Sequence, residues 1–220
     1  MGHIDNNSRI ELRRIIDLVA EHNLEVNTFM EIGSKDGNDA AYISNILSID
    51  PKNIYILEAH AAFYKMIKRN YPDYQVFNLA GWNETTQIEF HAARDRDDGR
   101  SSALPRDIYK DSNFIKTKVE ATRIDHFLDQ RNRAEIDVVK IDVEGATYEV
   151  LSGFGNILGG VKLFQLETEL YPVWSGQKTK KEVFEFMDEA GFHLAWETDI
   201  AKTQNDSIWI NKHTTQQEPK

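Results

Sequence analysis

Two periods of apolar residues alternate along this chain. Near the N-terminus Ile10, Ile15, Ile16 and Val19 recur at roughly helical spacing, and Ser8 followed three residues later by Glu11 carries a capping-box signature. An amphipathic helix is expected there. Strand-like and helical runs then take turns: 28–32 strand, 39–47 helix, 54–57 strand, 61–69 helix and 74–79 strand. Asp50-Pro51 and Tyr71-Pro72 stand where two of these helices should stop, because the residue before proline is pushed out of the α region. The alternation predicts βαβ units on a parallel sheet.

After Gly81 the rhythm changes. Residues 86–91 alternate, 94–113 are polar, and 118–124 are extended in pattern; we read about 82–118 as an insertion able to carry a substrate loop. The wound pattern resumes with a strand at 137–142, a helix at 148–158 and a strand at 162–166. A helix over 180–190 follows, with Gly191 placed to stop it. Strand candidates at 193–197 and 207–210 are close enough in sequence to form a hairpin, which suits an antiparallel strand at the edge of a mostly parallel sheet. The expected organisation is an N-terminal helix and connection over 1–27, one α/β domain over 28–211 with a doubly wound sheet, and a polar tail over 212–220.

Composition narrows the class of protein. At 220 residues a single domain with one sizeable core is expected. No apolar run is long enough to cross a bilayer, so no membrane insertion is expected. A formal charge of -10, with scattered Lys and Arg, disfavours nucleic acid as a partner. The absence of cysteine rules out disulfides and thiolate metal sites, and no signal-peptide pattern opens the chain; the expectation is a cytoplasmic protein. Nothing in the sequence speaks to oligomeric state.

The candidate chemistry sits at strand ends. The run Phe29-Met30-Glu31-Ile32-Gly33-Ser34-Lys35-Asp36-Gly37 ends an apolar strand in an acid and two glycines four apart. Glycine lets a backbone pass close to a nucleoside-bearing ligand. The dinucleotide fingerprint G-x-G-x-x-G is absent, so a loop for a cofactor without phosphates, such as S-adenosylmethionine, is the stronger reading. In a doubly wound sheet ligands bind beyond the carboxyl ends of the strands. That places Glu31, Gly33, Ser34, Asp36 and Gly37, then Glu58, Ala59 and His60, then Leu79 and Ala80, and finally Asp142, around the cofactor. Glu58, about twenty residues past the glycine loop, is positioned to accept both ribose hydroxyls. Glu31 is a candidate for the cofactor's ammonium, or for bonding its own loop.

Asp142 and Glu144 flank a second strand-to-helix turn, with Gly145 permitting it. They are the leading candidates to position substrate or to act as base; a divalent metal there stays open, and Lys140 is expected to pair with a carboxylate. Glu167 and Glu169 follow the next strand, as acceptor-binding acids or solvated strand-end acids. Tyr171 and Trp174 read as an acceptor lid or as cover for a core, and Ser101 and Ser102 as part of a loop over the acceptor.

The loop EIGSKDG, the strand YILEA, the block KIDVEGATYEVLSG and the later Gln165-Leu166-Glu167 together resemble the FkbM family of class I S-adenosylmethionine-dependent methyltransferases, from roughly Thr28 to Glu169. The resemblance implies a Rossmann-like sheet of seven strands, cofactor contacts from Glu31, Gly33, Asp36 and Gly37, ribose recognition by Glu58, and adenine packing near Leu79 and Ala80. It also implies methyl transfer, most often to a hydroxyl of a sugar-like or natural-product acceptor. Two departures stand out: Glu31, Ser34 and Lys35 where the family reads D-I-G-A-N-x-G, and His60 where it commonly has proline. The rival expectations are an NAD(P)-dependent oxidoreductase on a similar sheet and a noncatalytic module that keeps the cofactor pocket.

Overall fold

The computed structural model describes residues 6–95, 99–105, 113–133, 135–201 and 203–214. Parts of the 82–118 insertion and of the 212–220 tail therefore lie outside the described residues. Helix α1 (Asn6–Glu21) leads into β1 (Phe29–Ile32), α2 (Asn38–Leu47), β2 (Ile54–Leu57), α3 (Ala61–Asn70) and β3 (Gln75–Phe77). The insertion contributes β4 (Ala80–Gly81), β5 (Thr86–Ala93) and β6 (Phe114–Thr122), and α4 (Ile124–Asp129) returns the chain to the sheet. Then come β7 (Val138–Ile141), α5 (Thr147–Ser152), β8 (Leu163–Glu169), α6 (Lys180–Glu189), β9 (Phe192–Ala201) and β10 (Gln204–Asn211).

Seven strands form one sheet in the order β3-β2-β1-β7-β8-β10-β9. The pairs from β3 across to β8 are parallel, and the closing hairpin supplies the antiparallel edge, with β10 against β8 and β9 outermost. Strand order reverses between β1 and β7, so the crevice for a ligand opens above those two strands.

Alternation along each strand divides the core. Met30, Ile32, Val139, Ile141, Phe164 and Leu166 face α4, α5 and α6, whereas Phe29, Val138 and Leu163 face α1, α2 and α3. The second face changes character one step along its strands. Phe29, Val138 and Leu163 are in register and apolar; Glu31, Lys140 and Gln165, in register two residues on, are polar and equally buried. That polar row is the floor of the site.

Several elements differ from their sequence expectation for local reasons. Position 8 lies inside α1, which already runs from Asn6, and not ahead of it; Glu11 is buried against the sheet. The expected 74–79 strand is shortened to Gln75–Phe77, and beyond it Ala80 and Gly81 pair in parallel with β6 in a separate three-stranded sheet. The 148–158 helix stops at Ser152, where a Cβ on Gly153 would meet the Trp82 carbonyl oxygen at 2.1 Å, and a 3-10 turn follows over Gly155–Gly160. Strand β8 runs on to Glu169, so Glu167 and Glu169 lie within it. Helix α6 is fixed by a capping box between Thr179 and Glu182.

Phe164 is fully buried and meets Phe154 and Phe192 edge-on, with centroids 5.2 and 5.3 Å apart. Phe164→Ala is expected to cost about 3–5 kcal/mol, the range for emptying an aromatic site in a core. Urea unfolding measures it, and a loss under about 1 kcal/mol would show that the site collapses around the void.

Candidate active site

The β1 loop is shaped by close approach. A Cβ at position 33 would lie 1.9 Å from the Asp142 carbonyl oxygen, and Gly33 turns there with φ of +77°, a region glycine enters without strain. The Gly33 N–H donates to the Leu57 carbonyl at 2.9 Å and the Asp142 N–H to the Ile32 carbonyl at 3.0 Å, lacing three strand ends together. Ser34 Oγ donates to Glu31 Oε2 at 2.8 Å and accepts from the Gly37 N–H at 3.1 Å. Asp36 accepts from both nitrogens of Asn38, at 2.9 and 2.6 Å, which sets the start of α2.

Glu58 closes the loop from the β2 side. Its Oε2 accepts the N–H groups of Ser34 at 3.0 Å and Lys35 at 2.9 Å, and its Oε1 accepts the His60 N–H at 2.7 Å. A carboxylate has about four acceptor sites, so one is left. Burial raises the Glu58 pKa and these backbone donors oppose the rise. His60 caps α3, its Nδ1 accepting from the Ala62 N–H at 3.3 Å, which explains a helix start without proline. Asn78 Nδ2 donates to the carbonyls of Glu58 and Ala59 at 2.8 and 2.9 Å.

These strand ends enclose a cavity of about 460 Å³, within the range of small-molecule sites. Glu31, Gly33, Ser34, Asp36, Glu58 and Ala59 line it on one side. Leu79, Ala80, Ser101, Asp142, Glu144 and Glu167 line it elsewhere. Gly37, His60, Ser102, Glu169, Tyr171 and Trp174 are not on its wall. Gly37 is instead under the Tyr71 ring, where a Cβ would come within 2.8 Å.

Lys140 holds the floor together. Its ammonium is buried 2.7 Å from Asp142 Oδ2 and 3.4 Å from Asp39 Oδ2. Burial alone pulls its pKa down, but Asp142, Asp39, Glu31 and Glu11 together hold it well above the ordinary lysine value. Burial, then Asp39, push the Glu31 carboxyl well up. Under α1, Gln165 Nε2 donates to Asp206 Oδ1 at 3.1 Å and to Glu11 Oε2 at 3.5 Å. Burial, then the neighbouring Asp206, push Glu11 up to about 9; burial, then Asp142, push Asp206 up to about 7.

The β8 side departs from the expected acceptor lid. Ser102 is fully buried, and its Oγ donates to the Glu144 carbonyl at 2.6 Å and accepts from the Leu104 N–H at 2.9 Å; it pins the insertion to the β7 turn, with no face toward a substrate. Trp174 is buried against Gly145, where a Cβ would lie 2.2 Å from its ring, so it fixes the turn and does not cover the cavity. Tyr171 is 66% exposed. Glu169 accepts from Gln177 Nε2, whose Oε1 takes the N–H groups of Val173 and Trp174 at 2.9 and 3.0 Å. Burial raises Glu169 to about 7, and burial with Asp142 and Glu144 raises Glu167 well above the usual range.

A family model for the methyltransferase FkbM domain matches residues 31–194. The chain belongs to the FkbM methyltransferase family. A solved FkbM methyltransferase from Methylobacillus flagellatus KT is similar at 12% identity and a TM-score of 0.52, over 83% of this chain and 43% of that one. Magnesium protoporphyrin IX methyltransferase from Synechocystis PCC 6803, solved with bound S-adenosylmethionine, is similar at 9% identity and a TM-score of 0.52, over 96% of this chain and 86% of that one. No curated protein sequence matches. The shared fold is that of the class I methyltransferases.

In this FkbM methyltransferase, sequence reasoning missed Glu11, Asp39, Asp206 and Gln177. Glu11 falls on the stripe of Leu12, Ile15 and Leu18, and a charge on a buried stripe was the available signal. Asp206 sits in the polar first half of β10, among Gln204, Asn205 and Ser207, where no local signal sets it apart. Nothing local marks Gln177, whose partners are set by tertiary contacts.

The raised Glu11 pKa gives a pH dependence with a definite sign. An unfolded glutamate titrates near about 4.3, the folded one at about 9, so between them the folded state holds the extra proton and stability falls as pH rises. Thermal unfolding from about pH 5 to about pH 9 should decline more steeply for the native chain than for Glu11→Gln, which cannot lose that proton. Equal slopes would contradict the assignment. Asp206, Lys140, Asp142 and Asp39 are the charged neighbours of Glu11, and all remain in the variant.

Proposed function

We propose that this FkbM methyltransferase uses S-adenosylmethionine to methylate a hydroxyl of a small sugar-like or natural-product acceptor. The observation carrying this reading is one cavity that joins Glu58 and the β1 loop to the acids of the β7 and β8 ends. Its residues suit the donor: one acceptor site left on Glu58 for a ribose hydroxyl, Glu31 for the ammonium, and Leu79 and Ala80 as apolar wall for the adenine. S-adenosylmethionine supplies an electrophilic methyl on a sulfonium sulfur.

Asp142 faces the same cavity, with its other oxygen held by Lys140. It receives the acceptor's hydroxyl proton as the acceptor oxygen bonds the methyl carbon and the carbon–sulfur pair stays on sulfur. Lys140 orients Asp142. Holding oxygen and methyl in line supplies much of the acceleration. The acidic wall and the net charge of -10 favour a small acceptor over a nucleic acid.

Calorimetry with S-adenosylhomocysteine and with NAD separates the cofactor classes. Binding of the former alone is expected; tight NAD binding without it would overturn the reading. Glu58→Ala should weaken S-adenosylhomocysteine by roughly 1–3 kcal/mol. Asp142→Asn should keep that affinity and lower kcat by about 10²–10⁴-fold. Methyl transfer to no member of a glycan and natural-product panel, with cofactor binding intact, would favour a noncatalytic module.

A further inference from the structure

Glu144, on the turn after β7, and Glu167 and Glu169, on β8, each bring one carboxylate oxygen within 4.8 Å of the other two. Hard cations bind oxygen at about 2.0–2.6 Å, so oxygens sharing one ion lie up to about twice that distance apart. The three acids fit around a single ion.

A second observation points the same way. Glu167 is 7% exposed, lines the cavity, and its Oε1 is buried with no hydrogen-bond partner. Leaving a buried carboxylate oxygen without a donor is costly, and a cation is one way to meet it. Among the described residues no lysine or arginine forms an ion pair with Glu167 or Glu169, and the buried Lys140 is engaged by Asp142 and Asp39. The neighbouring acids also have fixed positions. Gln177 holds Glu169, and Ser102 holds the Glu144 carbonyl while Trp174 packs on the turn. Ligands oriented by such outer bonds are the mark of a built site.

We infer that Glu144, Glu167 and Glu169 bind one hard divalent cation, which presents its open positions to hydroxyl oxygens of the acceptor. An all-oxygen set without histidine or cysteine selects magnesium, manganese or calcium over zinc or copper. Three protein oxygens leave at least about three positions of a six-coordinate ion for water or an acceptor diol. Since Glu144 and Glu167 line the cavity and Glu169 lies behind them, those positions face the cavity. The ion lies on the far side of Asp142 from the β1 loop, since β8 is two strands, about 9–10 Å, from β1. The acceptor role of the ion rests on the methyltransferase reading; its binding does not.

The test is a Mn²⁺ titration of the full chain near neutral pH, following loss of the free-ion paramagnetic signal, with S-adenosylhomocysteine affinity and thermal unfolding measured in parallel. One Mn²⁺ per chain is expected, displaced by Mg²⁺ or Ca²⁺. Glu167→Gln and Glu169→Gln should each weaken it by at least about tenfold, with the unfolding temperature in chelator and the S-adenosylhomocysteine affinity retained. Absence of stoichiometric Mn²⁺ binding, or unchanged binding in both variants, overturns the site. If S-adenosylhomocysteine still binds in that case, the cation alone is rejected; if it also fails to bind, the methyltransferase reading falls with it.

Discussion

The buried Lys140 ammonium is the constraint around which this site is organised. A lysine on a central strand, 3% exposed, stays charged only if carboxylates surround it. Asp142 and Asp39 do so directly, from the end of its own strand and from α2. Removing one partner of such a pair leaves an uncompensated buried charge, at about 3–5 kcal/mol. The β7 turn and the start of α2 are thereby fixed to each other. Glu31, Glu11 and Asp206 crowd onto the same face of the sheet, where burial raises their pKa values and the ammonium opposes the rise.

Backbone geometry supplies the matching constraint on the other side. Gly33 lets the β1 loop lie against the Asp142 carbonyl, and Glu58 spends three of its acceptor sites on backbone N–H groups of two loops. Glu58 is therefore a structural brace first, and a ligand contact with what remains. The longer acid at 31 is tied to the loop through Ser34, whose hydroxyl donates to it and accepts the Gly37 N–H. The departures from the family loop, Glu31 and Ser34, thus form one hydrogen-bonded unit.

Where periodicity and punctuation act locally, the sequence was legible. The βαβ alternation, the closing hairpin and the strand-end acids all follow from spacing, and Lys140 pairs with a carboxylate as its setting implied. The failures share a physical cause: a residue whose partner is distant in sequence. Trp174 and Ser102 have the composition of a lid and a loop, yet both are spent bracing the turn at Glu144–Gly145 from outside. Glu11 imitates a capping residue while its carboxyl is buried beside Asp206, nearly two hundred positions away. Only β8 running on through Glu169 brings Glu167 to the cavity wall and Glu169 just behind it.

An acidic cavity creates a difficulty for methyl transfer that the arrangement resolves. The donor is a cation whose charge disappears as the methyl leaves, so carboxylates against the sulfonium would stabilise the ground state more than the transition state and slow the reaction. Here the acids nearest the floor are quenched. Lys140 offsets one of the two charges on Asp142 and Asp39, while burial keeps Glu31 and Glu11 protonated well above the usual carboxylate range. Such groups position a ligand by hydrogen bonds without laying a strong negative field across the reacting carbon. The carboxyl groups of Glu144, Glu167 and Glu169 gather instead on the β8 side of the cavity, two strands from the β1 loop and away from the donor.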